Sequence, residues 1–179
     1  MTQNLVNWAA DVAWEHLRAL PRRLSHVEGV ARRAALAADV ADDGELLVAA
    51  GWLHDVGYAP SLVRTGFHPV DGATYLRETG ASERLCALVA NHSCARIEAR
   101  NRGLVIEWPD EQSPLRDALW WADMTTTASG EDTTLSERLS DVYRRYGDGD
   151  VVSRSLREAE PTLRDAVERT EGRMRLQVK

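Results

Sequence analysis

Gly51-Trp52-Leu53-His54-Asp55-Val56-Gly57-Tyr58 is the stretch that decides how the rest of this 179-residue chain is read. His54 and Asp55 stand side by side at the end of an apolar, alanine-rich helical run, where a helix normally buries leucines. An unpaired ionisable group is costly to bury, so such groups are paired, hydrogen-bonded or bound to a metal. The pair therefore calls for partners elsewhere in the chain.

Working outward, the hydrophobic pattern is helical nearly throughout, and no alternating run reaches strand length. A first helix fits Leu5–Leu20, with Trp8, Val12 and Trp14 facing in, and stops before Pro21. A second runs from about Leu24 to Ala41 on a stripe of Val27, Val30, Ala31, Ala34 and Ala38. Asp43 caps a third, about Gly44–Val56, which Gly57 ends. Pro69 opens a fourth that Gly80 closes, and Ser82 caps a fifth carrying Leu85, Leu88 and Val89. Residues 94–112 are polar and arginine-rich. Ser113-Pro114 then starts a helix through about Met124, and Thr125–Thr134 reads as a loop. Helices follow at Leu135–Tyr146, Val151–Glu160 and Thr162–Arg175, the last two parted by Pro161. The expectation is an all-α, single-domain helical bundle, with C-terminal helices over about 135–176 that pack on the rest or form a lid.

Residues three and four apart on a helix share a face. His54 follows Leu47, Ala50 and Gly51 at offsets of seven, four and three, and His92 follows Leu85, Leu88 and Val89 at the same offsets. Asp123 extends the face of Leu119 and Trp120, and His26 precedes Val30 and Ala34 on theirs. His68 stands just before Pro69. One such histidine is ordinarily a core residue bonded to a carbonyl. Four of the five histidines and two aspartates near or on inward faces point instead to a metal site. A mixed imidazole and carboxylate set suits zinc, iron, manganese, cobalt or nickel better than calcium.

Composition bounds the alternatives. With 44% hydrophobic and 28% charged residues the chain reads as an ordinary globular protein, long enough for a full core. A net charge of −6 argues against general nucleic-acid or membrane-surface binding. No apolar run spans a bilayer, and Met1-Thr2-Gln3-Asn4 carries no secretory pattern, so a cytoplasmic location is expected. Cys86 and Cys94 have no metal-knuckle spacing and read as reduced thiols. Lys179 is the only lysine, which leaves arginine for any phosphate to be gripped.

The order His26, then His54-Asp55 within LHDVG, then Asp123, resembles the HD-domain superfamily of metal-dependent phosphohydrolases, an all-helical fold. The likeness covers roughly Arg22 to Asp123, and implies that His26, His54, Asp55 and Asp123 bind a first metal. With His68 in FHPVDGA and His92 in VANHS, the layout is similar to binuclear members such as the bacterial diadenosine tetraphosphate hydrolases. That implies Asp55 bridging two divalent ions, with His68 and His92 on the second; the cofactor expected is one or two divalent transition-metal ions. The sequence departs from that branch after Asp123, at ADMTTTASGED.

The expected chemistry is hydrolysis of a phosphate ester or anhydride of a small phosphorylated molecule, a nucleotide first among them, by a metal-activated hydroxide. His54 and Asp55 would carry it, with Arg22, Arg23 and Arg96 gripping substrate phosphate, and Tyr58 or Trp52 available to stack on a base. Two alternatives remain: a diiron oxygenase of the same fold acting on an organophosphonate or polyol, and a non-catalytic metal- or ligand-binding module. An oligomer is compatible with either.

Overall fold

The computed structural model describes residues 4–177, so residues 1–3 of the N-terminal stretch and Lys179 lie outside the described residues. Among the described residues all regular structure is helical, apart from one isolated bridge between Thr126 and Asp132. The helices are α1 (Leu5–Leu17), α2 (Pro21–Leu36), α3 (Gly44–Leu53), α4 (His68–Glu78), α5 (Glu83–Ala90), α6 (Ala95–Asn101), α7 (Pro114–Met124), α8 (Leu135–Tyr146) and α9 (Val151–Gln177). None is long and apolar enough to cross a membrane.

Local chemistry sets the helix starts. Asp43 accepts from Leu46 N, Ser82 from Leu85 N and Ser113 from Arg116 N, each satisfying an otherwise orphaned donor. Thr134 and Glu137 close a reciprocal capping box at α8. One apolar cluster runs from Ala9 in α1 to Val167 in α9, with α3, α5 and α7 contributing its centre. A smaller one joins Ala13, Leu17, Leu24, Val27 and Ala59 under the α1–α2 corner.

Three expectations are corrected. Pro21 does not merely end the first helix; it is the first residue of α2, which places Arg22, Arg23 and His26 on one helix. Trp14 is 52% exposed rather than inward-facing, because Ala13 and Leu17 hold the inner face of α1 at that level. Pro161 does not split the C-terminal helix. It sits on the exposed side of a continuous α9, whose buried stripe of Ala159, Leu163, Ala166, Val167 and Thr170 passes it without a break. The carbonyl that loses its amide partner belongs to exposed Arg157, so water can satisfy it, and packing outweighs propensity.

Candidate metal centre

The site forms where four chain segments stop or turn. α3 ends at Leu53, His54 caps it, and Asp55 leaves helical geometry at φ −104°, ψ 9°. Adjacent residues on an intact helix point about 100° apart; breaking the helix between them turns both side chains into one cavity. The following turn, Val56–Tyr58, crosses the start of α4 so closely that a Cβ on Gly57 would lie 2.1 Å from the His68 carbonyl oxygen. Only glycine permits that crossing, and the crossing brings His68 to Asp55. Asp71, buried in α4, accepts from Thr65 N at 2.8 Å and Gly66 N at 3.1 Å and fixes the loop entering His68.

His92 lies beyond α5, in a short turn over His92–Cys94 where Ser93 (φ 46°) and Cys94 (φ 62°) both take left-handed backbone. Two consecutive non-glycine residues in that region store strain, and such strain gathers at functional sites. Here it aims Ser93 Oγ at Asp123 Oδ2, to which it donates at 2.5 Å. The 125–134 loop is pinned to α2 by Gly130, whose carbonyl accepts from Arg32 at 2.6 Å, so that Thr127 O meets the ring of His26.

Six side chains converge. His26 Nε2 lies 3.1 Å from Asp123 Oδ1 and 3.8 Å from Asp55 Oδ2. His54 Nε2 lies 3.5 Å from Asp55 Oδ2 and 3.8 Å from Asp123 Oδ1. On the other side, Asp55 Oδ1 lies 3.2 Å from His68 Nε2 and 3.6 Å from His92 Nε2, which are themselves 3.2 Å apart. Asp55 thus divides its two oxygens between two sets of donors. His26, His54, Asp55, His92 and Asp123 are all buried, and His68 nearly so.

The opposite edge of three rings is tied to the backbone. The Nδ1 atoms of His26, His54 and His92 meet the carbonyls of Thr127 (2.9 Å), Gly51 (2.9 Å) and Val89 (2.7 Å). A carbonyl only accepts, so Nδ1 carries the proton and Nε2 is offered to the cavity. His54 Nε2 is buried without any hydrogen-bond partner. The lone pairs of His26, His54 and His92 Nε2 facing carboxylate oxygens across 3.1–3.8 Å make no sense as a hydrogen-bond network. They fit a cation: donors about 2.1 Å from one ion stand about 3.0 Å apart in octahedral and about 3.4 Å apart in tetrahedral arrangement.

The electrostatics prepare the donors. Burial pushes the Asp55 carboxyl up, but the Arg23 guanidinium beside it, with His54 and His68, holds it well below the ordinary carboxylate range. Asp123 is likewise opposed by burial and held low by His26, His54 and Arg138. Burial carries the His68 imidazole down to about 4, against the pull of Asp55, and lowers His92, which His54 pushes further. At neutral pH the two carboxylates are ionised and these two imidazoles neutral, the state a metal needs.

Of the three arginines expected to grip substrate, Arg23 reaches the site. It hydrogen-bonds Asp55 Oδ2 and lies 3.9 Å over the Tyr58 ring, which in turn stacks on His68 at 3.9 Å. Arg22, one position earlier, is exposed and borders an outer hollow. Arg96 is turned away, donating to the Trp108 carbonyl in a separate hollow with Cys94 and Arg116. The left-handed residues after His92 reverse the chain, so helical spacing from His92 to Arg96 does not carry across them.

Two residues escaped the sequence reading. Ser93 left no signal, since its backbone conformation is invisible in one sequence. Arg138 did leave one: it interrupts the face of Leu135, Leu139 and Val142 on α8 at offsets of three and four.

An all-α domain with buried histidines and aspartates grouped to hold divalent metal is the class that this fold and site define. The chain belongs to the HD domain family, which matches residues 23–139 and so spans all six converging side chains. HD domains bind divalent metals and are in general metal-dependent phosphohydrolases. No curated protein and no solved structure matches the chain.

Proposed function

We propose that the protein is a binuclear metal-dependent phosphohydrolase that cleaves a phosphate ester or anhydride, with a nucleotide as the leading substrate class. The observation that carries this reading is the division of Asp55 between His26, His54 and Asp123 on one side and His68 and His92 on the other. A single structural ion would have no use for the second group.

Bound there, divalent ions supply Lewis acidity and lower the pKa of water at the phosphorus. The chain's own part is positioning. Asp55 joins the two donor groups, and Arg23 keeps its carboxylate ionised and oriented. Ser93 fixes the second oxygen of Asp123, and the carbonyls of Gly51, Val89 and Thr127 set the imidazoles. Tyr58 holds His68 by its ring face. Val142 and Leu156, from α8 and α9, wall the cavity on the far side and limit bulk water.

The test is elemental analysis of the purified protein together with turnover of a panel of phosphate esters and nucleotides. Two manganese, cobalt, nickel, zinc or iron ions per chain are expected, with phosphate or a nucleoside monophosphate released. Asp55→Ala should abolish turnover in a protein still helical by circular dichroism, and His68→Ala should reduce the metal count from two to one. A metal-loaded protein inert across the panel overturns the reading; dioxygen-dependent turnover by an iron-loaded form would replace it with the oxygenase.

A further inference from the structure

Among the described residues, Arg138 is a guanidinium beside the centre that no contact in the fold explains. It is only 9% exposed, its Nε and Nη1 are buried without a hydrogen-bond partner, and among the described residues no carboxylate pairs with it. Burying a charged donor set unsatisfied is costly, and native chains retain such groups where a ligand completes them. Arg138 lines the same cavity as His26, Asp55, His68 and Asp123, and its charge is felt at Asp123. By contrast the other buried or half-buried arginines of this region are engaged: Arg23 with Asp55, Arg116 with Asp110 and Asp117.

The cavity sets the size of what Arg138 can meet. Its volume is about 120 Å³, against the roughly 300–1,000 Å³ of pockets that enclose drug-sized ligands. A phosphoryl group fits, whereas a whole nucleotide does not. The cavity opens past Arg23, Tyr58, Ala128 and Arg145 into an outer hollow of about 540 Å³ floored by Ala19, Leu20 and Pro21. One end of the substrate is therefore enclosed and the other has room.

We infer that Arg138 is a substrate-binding residue that grips the free oxygens of a terminal phosphoryl group, the remainder of a phosphomonoester lying in the outer hollow. The inference rests on the phosphohydrolase reading. A planar guanidinium offers paired donors matched to two phosphate oxygens, and a terminal phosphate would have oxygens to spare both for divalent ions held by the histidines and aspartates opposite and for Arg138. A diester or an internal anhydride would have to thread its second substituent past α8.

The experiment is calorimetric titration of inorganic phosphate into the full chain, metal-loaded and metal-stripped, for wild type, Arg138→Met and Arg138→Lys. Metal content and thermal melts are followed alongside. Arg138→Met is expected to weaken phosphate at least tenfold in both forms, with the metal count unchanged and the loaded protein melting no lower than wild type. Arg138→Lys, keeping a point charge without the fork, should fall between. In competition, phenyl phosphate should displace inorganic phosphate and diphenyl phosphate should not. Unchanged phosphate affinity in Arg138→Met with metal intact overturns the inference and leaves the hydrolase standing. A large drop in melting temperature in both variants assigns Arg138 to structure and overturns it too. Equal competition by the diester removes the terminal-phosphate part. A wild type that takes no metal but binds phosphate through Arg138 sinks the hydrolase reading alone.

Discussion

Ser93 donates a hydrogen bond to Asp123 at 2.5 Å from a backbone at φ 46° that serine rarely adopts. The strain and the bond belong together: relaxing Ser93 to ordinary geometry would swing its hydroxyl away from the carboxylate. Left-handed backbone costs an ordinary residue roughly 1–2 kcal/mol, while a hydrogen bond to a charged acceptor returns about 1.5–3 kcal/mol.

Replacing this residue separates the two terms. Ser93→Ala and Ser93→Gly both lose the bond, and both should bind metal about 10–100-fold more weakly by competition with a chelator. Ser93→Gly alone sheds the strain, so it should melt above Ser93→Ala by about 1 kcal/mol. Equal metal affinity in wild type and both variants would show that Asp123 needs no such support.

The crossing of Gly57 over α4 supplies a second prediction. Gly57→Ala drives a methyl into the His68 carbonyl, a backbone atom that cannot step aside. It should destabilise the fold by about 3 kcal/mol or more and part His68 from Asp55. Gly72→Ala, on the facing helix, meets its nearest atoms at 3.1–3.4 Å and gains helix propensity, so it should cost far less. Denaturant melts of the two variants check the contrast; similar losses would contradict the geometry.

Acid sensitivity of the α7–α9 contact follows from Asp117. Its carboxylate, buried, accepts from Arg169 at 2.8 and 2.9 Å and from Arg116 and Arg173 at 3.1 Å. Burial raises this carboxyl, but Arg169, Arg116 and Arg173 together hold it below its ordinary value. The folded state therefore binds the proton less readily than the unfolded one, whose aspartates titrate near about 3.9. The contribution is complete above that pH and is lost as pH falls through the lower folded value. Asp117→Asn should lower the melt at pH 7 by about 1–3 kcal/mol and flatten the decline below about pH 4. Parallel acid profiles in wild type and variant would refute it.

How far these residues could be read from the sequence depends on whether the signal was periodic. His26 and Asp123 sit on apolar stripes of α2 and α7, and His54 and His92 stand just past the ends of such stripes on α3 and α5, so helix spacing turned them inward, and the LHDVG context tied them to the HD family. Helix starts were legible where a cap residue stood before an apolar run, as at Asp43, Ser82 and Ser113. What failed was whatever depends on a broken helix. Arg96 was placed by counting on from His92 through residues whose backbone turns left-handed. Pro161 breaks an isolated helix, but in α9 residues buried on both sides of it, Ala159 and Leu163, hold the helix continuous. Arg138 carries the same periodic signal, a charge set into the apolar face of Leu135, Leu139 and Val142.

The family match stops at Leu139, midway along α8, while the cavity continues past it to Val142, Tyr146, Val152 and Leu156. The donors thus lie wholly within the matched segment, while part of the enclosing wall lies beyond it. Exchanging side chains in that distal wall reshapes the chamber without replacing any of the six converging histidines and aspartates, so the shape of the hollow can drift through evolution, or be re-engineered, independently of the metal-binding set.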